Sequence, residues 1–318
     1  FSILQNSFNY IQMYLKPQVI EKLSGKDLKE MQAEDKWIIS KTGSMIEEVI
    51  EDFENCWFGK ATQTLDYFII EDFSRTYIKL ARERIGGKTQ EAVEKAMNYC
   101  ITQLLKAMAP ITPHLSEFYY QKMQGGKEES IHLLSLEKAG KELVDKKLED
   151  EMEKAKQSAE AILSLREESK LKLRWVLKEA VLQTKTGKEF EKTKELIARL
   201  CKVQKITEQS LVPLGKEFVK KEIGITTVFL NIQASPELKE QWELAELLRR
   251  IQESRKQAKL MPKDKAQVLI EISNPEFLEK FKTQIENETN TELKEAKLEK
   301  EKERLVGIEV ALEVKGKN

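Results

Sequence analysis

The sequence contains no apolar run approaching the ~18 residues needed to span a bilayer, and its opening stretch, FSILQNSFNY, lacks the charged leader and long apolar block of a signal peptide. A membrane-embedded or exported protein is therefore not expected, and a cytoplasmic setting is. Cysteine is scarce: Cys56, Cys100 and Cys201 lie far apart, and an odd, scattered set suits a reducing compartment rather than a disulfide scaffold. Histidine is scarcer still. His114 and His132 have no neighbouring cysteine, so zinc-ligand spacing is missing and no metal site is expected. Net charge is absent too, with 54 Lys+Arg against 54 Asp+Glu. That balance excludes a uniformly basic nucleic-acid binder and leaves room only for a local basic patch. There is no glycine-rich phosphate loop and no Ser or Cys nucleophile near a histidine. Acidic pairs such as Glu71-Asp72 and Glu128-Glu129 sit among lysines and arginines, where surface salt pairing accounts for them. No catalytic residue is expected in these residues.

What is present is helix, charge and enough apolar material for two cores. The chain has 318 residues, 40% of them hydrophobic and 34% charged, which fits two domains with a connecting element. Residues 1–126 carry apolar positions three and four apart, so helices are expected near 2–15, 34–54, 58–85, 88–108 and 113–123. Pro17, Ser24-Gly25, Gly86-Gly87 and Pro110 separate them, which makes an antiparallel bundle. For the last helix Thr112 is expected to cap the first amides, with Pro113 at the first helical position and Gly125-Gly126 beyond the end. Residues 127–170 read as a linker: a short irregular passage over 127–140, then a long, highly charged helix of about seven turns. From residue 171 to 318 the texture becomes α+β, with strands expected at 178–184, 226–232, 266–272 and 304–314 and helices at 188–200, 237–258 and 275–285. The expected class is α+β overall: an all-α antiparallel bundle, a linker helix and a small α+β domain. A faint echo links SLREESKLKLRWVLKEAVLQT to RIQESRKQAKLMPKDKAQVLIEI, each passing from a basic helix end through a Lys-Leu pair into a strand; duplication and ordinary helix–strand similarity both explain it.

Chemistry is concentrated in three basic clusters. At 100° per residue Ile69, Phe73, Tyr77 and Leu80 form one stripe of a helix, while Arg75, Lys79 and Arg82 gather opposite, with Arg84 nearer the core edge. The second cluster, KLKLRWVLK, places Lys172 and Arg174 beside Trp175, a residue able to stack an unpaired base or to fill a strand entrance. The third holds Arg249, Arg250, Arg255, Lys256 and Lys259 near a helix C-terminus, where cations also complement the dipole. Glu71 and Asp72, four and three residues before Arg75, offer an internal partner for the first stripe.

In order along the chain, these segments resemble the C-terminal part of isoleucyl-tRNA synthetases of the archaeal and eukaryotic-like branch. The likeness rests on NSFNYIQMY at 6–14, on DKWIISKTGSMIEEVIEDFENCWFGKATQTLDYFIIEDFSRTYIKLARERI at 35–85, on LKAMAPITPHLSEFYYQKM at 105–123, on SIHLLSLEK and on LKLRWVLKEAVL. Val176 stands where the motif usually has Pro, Thr76 where an aromatic is common, and Leu136-Glu137 where Trp-Pro is common. The blocks that DKWIIS and APITPH resemble also occur in the related valine and leucine enzymes. A valyl-enzyme fragment is thus the alternative within the family, and a neutral helical protein-binding scaffold the alternative outside it. The resemblance implies that the chain is a piece of a longer ligase, an expectation that its start without Met shares, and that it recognises the anticodon stem-loop of an isoleucine tRNA. It implies tRNA contacts from Arg75, Lys79, Arg82, Arg84, Lys172, Arg174, Trp175, Arg249, Arg250, Arg255 and Lys259. ATP and Mg would belong to the catalytic domain of the parent, with no cofactor in this piece, and a monomer is expected.

Overall fold

The computed structural model describes residues 2–126, 128–211, 215–224, 226–261, 263–299 and 302–316; Lys127, the first residue of the expected irregular passage, lies outside them. The chain divides into two compact units. The first takes residues 1–156 and 190–196, the second 157–189 and 197–318.

The first unit is helical. Its helices are α1 (Ser2–Tyr14), α2 (Gly25–Glu30), α3 (Ala33–Glu54) and α4 (Phe58–Tyr67), then a π-helix over Phe68–Ile78 that runs into the short α5 (Lys79–Ala81), followed by α6 (Gln90–Met108) and α7 (Pro113–Tyr120). Helix α2 lies outside the expected set and is held by a capping box: Asp27 Oδ2 accepts the Ser24 N–H at 2.9 Å while Ser24 Oγ accepts the Asp27 N–H at 3.4 Å. Helix α3 repeats the reach-back, Asp35 Oδ2 accepting the Gln32 N–H at 3.0 Å. The long run of α6 from Ala96 to Met108 is buried on every face, which marks it as the central helix. Trp37, Ile38, Ile39, Phe73, Tyr77, Val93, Met97, Cys100 and Leu104 fill the core around it. The expected Thr112 cap does not form: its hydroxyl instead donates back to the Met108 carbonyl at 3.3 Å, although Pro113 does open α7.

Helix α8 (Lys146–Glu168) carries the chain from the first unit into the second. There follow β1 (Leu177–Gln183), α9 (Lys194–Cys201), β2 (Val203–Gln209), β3 (Phe218–Ile223) and β4 (Thr226–Asn231). Then come α10 (Pro236–Gln257), β5 (Ala266–Ile272), α11 (Pro275–Thr289), β6 (Thr291–Glu295), β7 (Glu303–Leu305) and β8 (Ile308–Gly316). The strands form two sheets of one topology, in the orders β2-β1-β4-β3 and β6-β5-β8-β7. In each, the first strand pairs parallel with the second and antiparallel with the fourth, and the third and fourth pair antiparallel.

The echo seen in the sequence is a duplication, because the two halves share a side-chain device as well as a topology. At the end of α8 the buried Arg166 guanidinium donates to three carbonyls: Lys172 at 2.6 Å, Trp175 at 2.5 Å and Cys201 at 3.1 Å, which lie 6, 9 and 35 residues on. At the end of α10 the buried Arg255 donates to Met261 at 3.0 Å, Asp264 at 2.9 Å and Asn290 at 3.2 Å, again 6, 9 and 35 residues on. In both, the lysine four residues after the arginine takes a positive φ, 56° at Lys170 and 57° at Lys259. One arginine thus pins a helix end, the loop after it and the end of the following helix, saturating carbonyls that burial would otherwise leave without donors.

Candidate nucleic-acid interface

The first basic cluster sits where the chain departs from α geometry. Residues at every fourth position, Ile69, Phe73 and Tyr77, are buried together with Leu80, as the periodicity indicates. Thr76 Oγ1 donates to the Glu71 carbonyl five residues back at 2.7 Å, in keeping with the wider π turn. On the outer side Arg75, Lys79 and Arg82 are exposed. Lys79 and Arg82 border a cleft of about 280 Å³ that they share with Asn6, Ser7 and Tyr10 of α1 and with Ser74. The Arg82 guanidinium lies over the Tyr10 ring, 5.4 Å from its centroid, and Tyr10 and Tyr14 are 4.9 Å apart with Tyr14 half-exposed. Burial raises the Tyr10 phenol above its ordinary value against the pull of Arg82, so it stays neutral. Arg75 is engaged by Glu71 at 2.6 Å, an exposed i,i+4 pair that an incoming anion displaces at little cost.

Two tyrosines therefore belong to this surface that sequence reasoning left out. Their signal was available as the four-residue spacing in NYIQMY, but the partner helix that makes it a cleft with the cations lies more than sixty positions downstream.

Arg84 leaves the candidate set. It is buried, its fork closing on Asp35 at 2.8 and 2.7 Å with Glu34 at 3.2 Å, while the Tyr77 hydroxyl donates to the same Asp35 at 2.7 Å. Burial would lower the guanidinium pKa, but the two carboxylates hold it raised, so the cation is a permanent part of the bundle core.

The second cluster is assembled differently from its expected role. Glu246 of α10, almost fully buried, receives Arg174 Nε at 2.6 Å, the Trp175 indole N–H at 2.8 Å and Lys172 Nζ at 3.2 Å. Burial alone would raise the Glu246 carboxyl, yet these donors outweigh it and hold the carboxyl below its usual range. Trp175 stacks on Trp242, with centroids 4.8 Å apart and planes 8° from parallel, and the Trp242 indole donates to the Val176 carbonyl at 2.6 Å. Trp175 thus cements two halves of the second unit, with one ring face and its N–H already engaged, and Lys172 and Arg174 pair with the same carboxylate while remaining partly exposed.

Of the third cluster, Arg249 pairs with Glu246 and Glu253, and Arg250 with Glu253 and, at 2.6 Å, with Glu303. Arg255 is buried in its carbonyl fan and leaves the set. Lys259 is exposed at the turn after α10. Among the described residues no helix is long and apolar enough to cross a membrane.

Residues 35–182 match the family described as the anticodon-binding domain of tRNA ligase. The chain is 33% identical over 229 residues to an isoleucine–tRNA ligase of Methanopyrus kandleri, covering 69% of this chain and 21% of that protein. It is 32% identical over 213 residues to one of Pyrococcus abyssi, covering 65% of this chain and 19% of that protein. A relative in Thermococcus kodakarensis is 32% identical over 212 residues, with coverage of 65% and 19%. The chain spans about a fifth of the length of these curated relatives.

Proposed function

We propose, from the match of residues 35–182 to the anticodon-binding domain of tRNA ligase, that this chain recognises the anticodon stem-loop of an isoleucine tRNA for an isoleucine–tRNA ligase of which it forms a part. The observation that carries the reading is the cleft between α1 and the π-interrupted helix, where Lys79 and Arg82 stand beside Tyr10. Cations there neutralise phosphates, and a neutral, half-covered tyrosine face suits the splayed bases of a loop. The two tasks divide cleanly. Phosphate contacts supply affinity without sequence information, and ring stacking is tolerant of base identity, so discrimination falls to hydrogen bonds from groups such as Asn6 and Ser74 at the cleft wall.

The balanced total charge does not oppose this reading, since counterion release depends on the few cations that meet phosphates rather than on the protein average. ATP and Mg chemistry is assigned to other parts of the parent ligase, and a cytoplasmic monomer is the proposed setting. Filter binding to isoleucine tRNA across a salt series tests the proposal. Arg82→Ala is expected to weaken binding to all tRNAs alike and to reduce the slope of log affinity against log salt by roughly 0.7–0.9. Competition by valine tRNA at equal strength would move the assignment to a valine enzyme, and no binding to any tRNA would overturn the proposal in favour of a protein-binding scaffold.

A further inference from the structure

The duplication places two loops in equivalent positions, and on the same frame one has its charge largely neutralised within the unit while the other does not. The loop after Arg166, residues 167–176, carries Lys170, Lys172 and Arg174 against Glu167 and Glu168. Its remaining excess charge is taken up by Glu246 of α10, while Trp175 lies under Trp242. Its counterpart after Arg255, residues 256–265, carries Lys256, Lys259, Lys263 and Lys265 against Asp264 alone. All four lysines are exposed, and among the described residues none has a carboxylate partner for its ammonium group. Where the first loop has Lys172 and Trp175, the second has Met261 and Asp264, and Met261 is 66% exposed.

This second loop is not loose. Arg255 holds the carbonyls of Met261 and Asp264, Asn290 Nδ2 donates to the carbonyls of Lys263 and Asp264 at 3.2 Å, and Asp264 Oδ2 receives the Met261 N–H at 2.7 Å. The described backbone on either side of residue 262 is therefore held from three sides while the ammonium groups stand in water. Elsewhere in the second unit, cations such as Arg249, Arg250, Lys221 and Lys302 are matched with carboxylates. A pinned loop that concentrates unneutralised lysine in an otherwise balanced unit is the arrangement that phosphate contact requires: the entropy cost of ordering the backbone is met in the fold, and only side-chain ends remain to be placed.

We propose that Lys256, Lys259, Lys263 and Lys265 form a second RNA phosphate-contacting surface of this chain, and that the duplicated unit divides its labour, the first loop joining the two repeats and the second gripping RNA backbone. The inference rests on the tRNA reading above and adds a contact that neither Trp175 nor Arg174 supplies.

The test compares the full chain with two triple variants of equal charge change: Lys259→Glu/Lys263→Glu/Lys265→Glu in the loop, and Lys185→Glu/Lys282→Glu/Lys297→Glu at exposed lysines elsewhere. Isoleucine tRNA is the probe, and Arg82→Glu serves as the bundle control. The loop variant is expected to lose about tenfold or more in affinity and to lower the salt slope by roughly 2, while the scattered variant stays within about threefold. Acetylation of surface lysines in the unmodified chain gives a readout free of folding effects: the four loop lysines should be protected when tRNA is bound. Equal losses in both triple variants, or loop lysines that react alike with and without tRNA, overturn the inference while the tRNA reading stands, provided Arg82→Glu still weakens binding. If the unmodified chain binds no tRNA, the earlier reading fails and this one with it.

Discussion

Trp175 lies flat against Trp242, and each indole N–H is already committed, the first to Glu246 and the second to the Val176 carbonyl. The two rings come from opposite sides of a repeat boundary, so the stack makes one unit of two sheets. Trp175→Ala is expected to lower the unfolding free energy by about 2–4 kcal/mol through lost ring burial and stacking. Urea denaturation followed by circular dichroism checks this. Binding to isoleucine and valine tRNAs should change by less than about twofold at a temperature where the variant is folded; a selective loss for one of them would restore Trp175 as a base reader.

Glu246→Gln keeps the shape of the side chain and removes the charge that Lys172, Arg174 and Arg249 share. Three partly exposed cations can turn to water, so the expected cost is about 1–3 kcal/mol, less than a fully buried pair would give. The pH dependence has a definite sign. The folded carboxyl sits below its ordinary value of 4.5, so its contribution is present above that pH and is lost as pH falls through the folded value. Stability measured from pH 7 down to 3 should therefore fall less steeply in the variant than in the parent.

Arg84→Lys tests whether the buried cation is structural. Lysine keeps the charge but cannot make the two-pronged contact to Asp35, and Arg84→Ala leaves Asp35 and Glu34 without it. Losses of about 3–5 kcal/mol for alanine, and a smaller loss for lysine, are expected in thermal or urea unfolding of the first unit. Salt dependence of tRNA binding by the folded Arg84→Lys protein should match the parent, unlike that of Arg82→Ala.

One of three thiols should react in the native state. Cys56 is exposed, whereas Cys201 and Cys100 are buried, and burial pushes the Cys100 thiol up to about 12 despite the hydrogen bond from Thr42. A colourimetric thiol reagent at pH 8 is expected to label one equivalent quickly and the other two only on unfolding. Fast labelling of a second equivalent would mean that the bundle around Cys100 opens far more readily than its packing implies.

Legibility in the sequence followed the range of the interactions. Periodicity is local, so the helices of the first unit other than the short α2, and the strand at 266–272, could be read from spacing alone. Strands β2, β3 and β6 went unseen because they are edge or near-edge segments with lysine and glutamate on exposed faces, VQKITEQ, FVKKEI and TELKE, which blunts the alternation that marks a strand. The expected strand over 304–314 is two, broken by a turn at Val306, whose φ is 58°. Basic residues were found as clusters but could not be sorted, since what separates Arg84 from Arg82 is a carboxylate pair about fifty positions away, and what separates Lys172 from Lys259 is Glu246 on a later helix. The duplication left only a faint trace because its shared parts are backbone contacts, which constrain few side chains beyond one arginine.

The π-helix over Phe68–Ile78 also sets an angle. A π turn closes its hydrogen bond five residues on instead of four, so side chains along this run come round later than α-helical spacing would place them. Rewinding this run as an ordinary α-helix at unchanged length would turn Lys79 and Arg82 to a different bearing from Tyr10 with their composition untouched. The irregularity sets the bearing of two charges towards the α1 cleft, and on the tRNA reading proposed above its loss should weaken RNA binding without removing a cation.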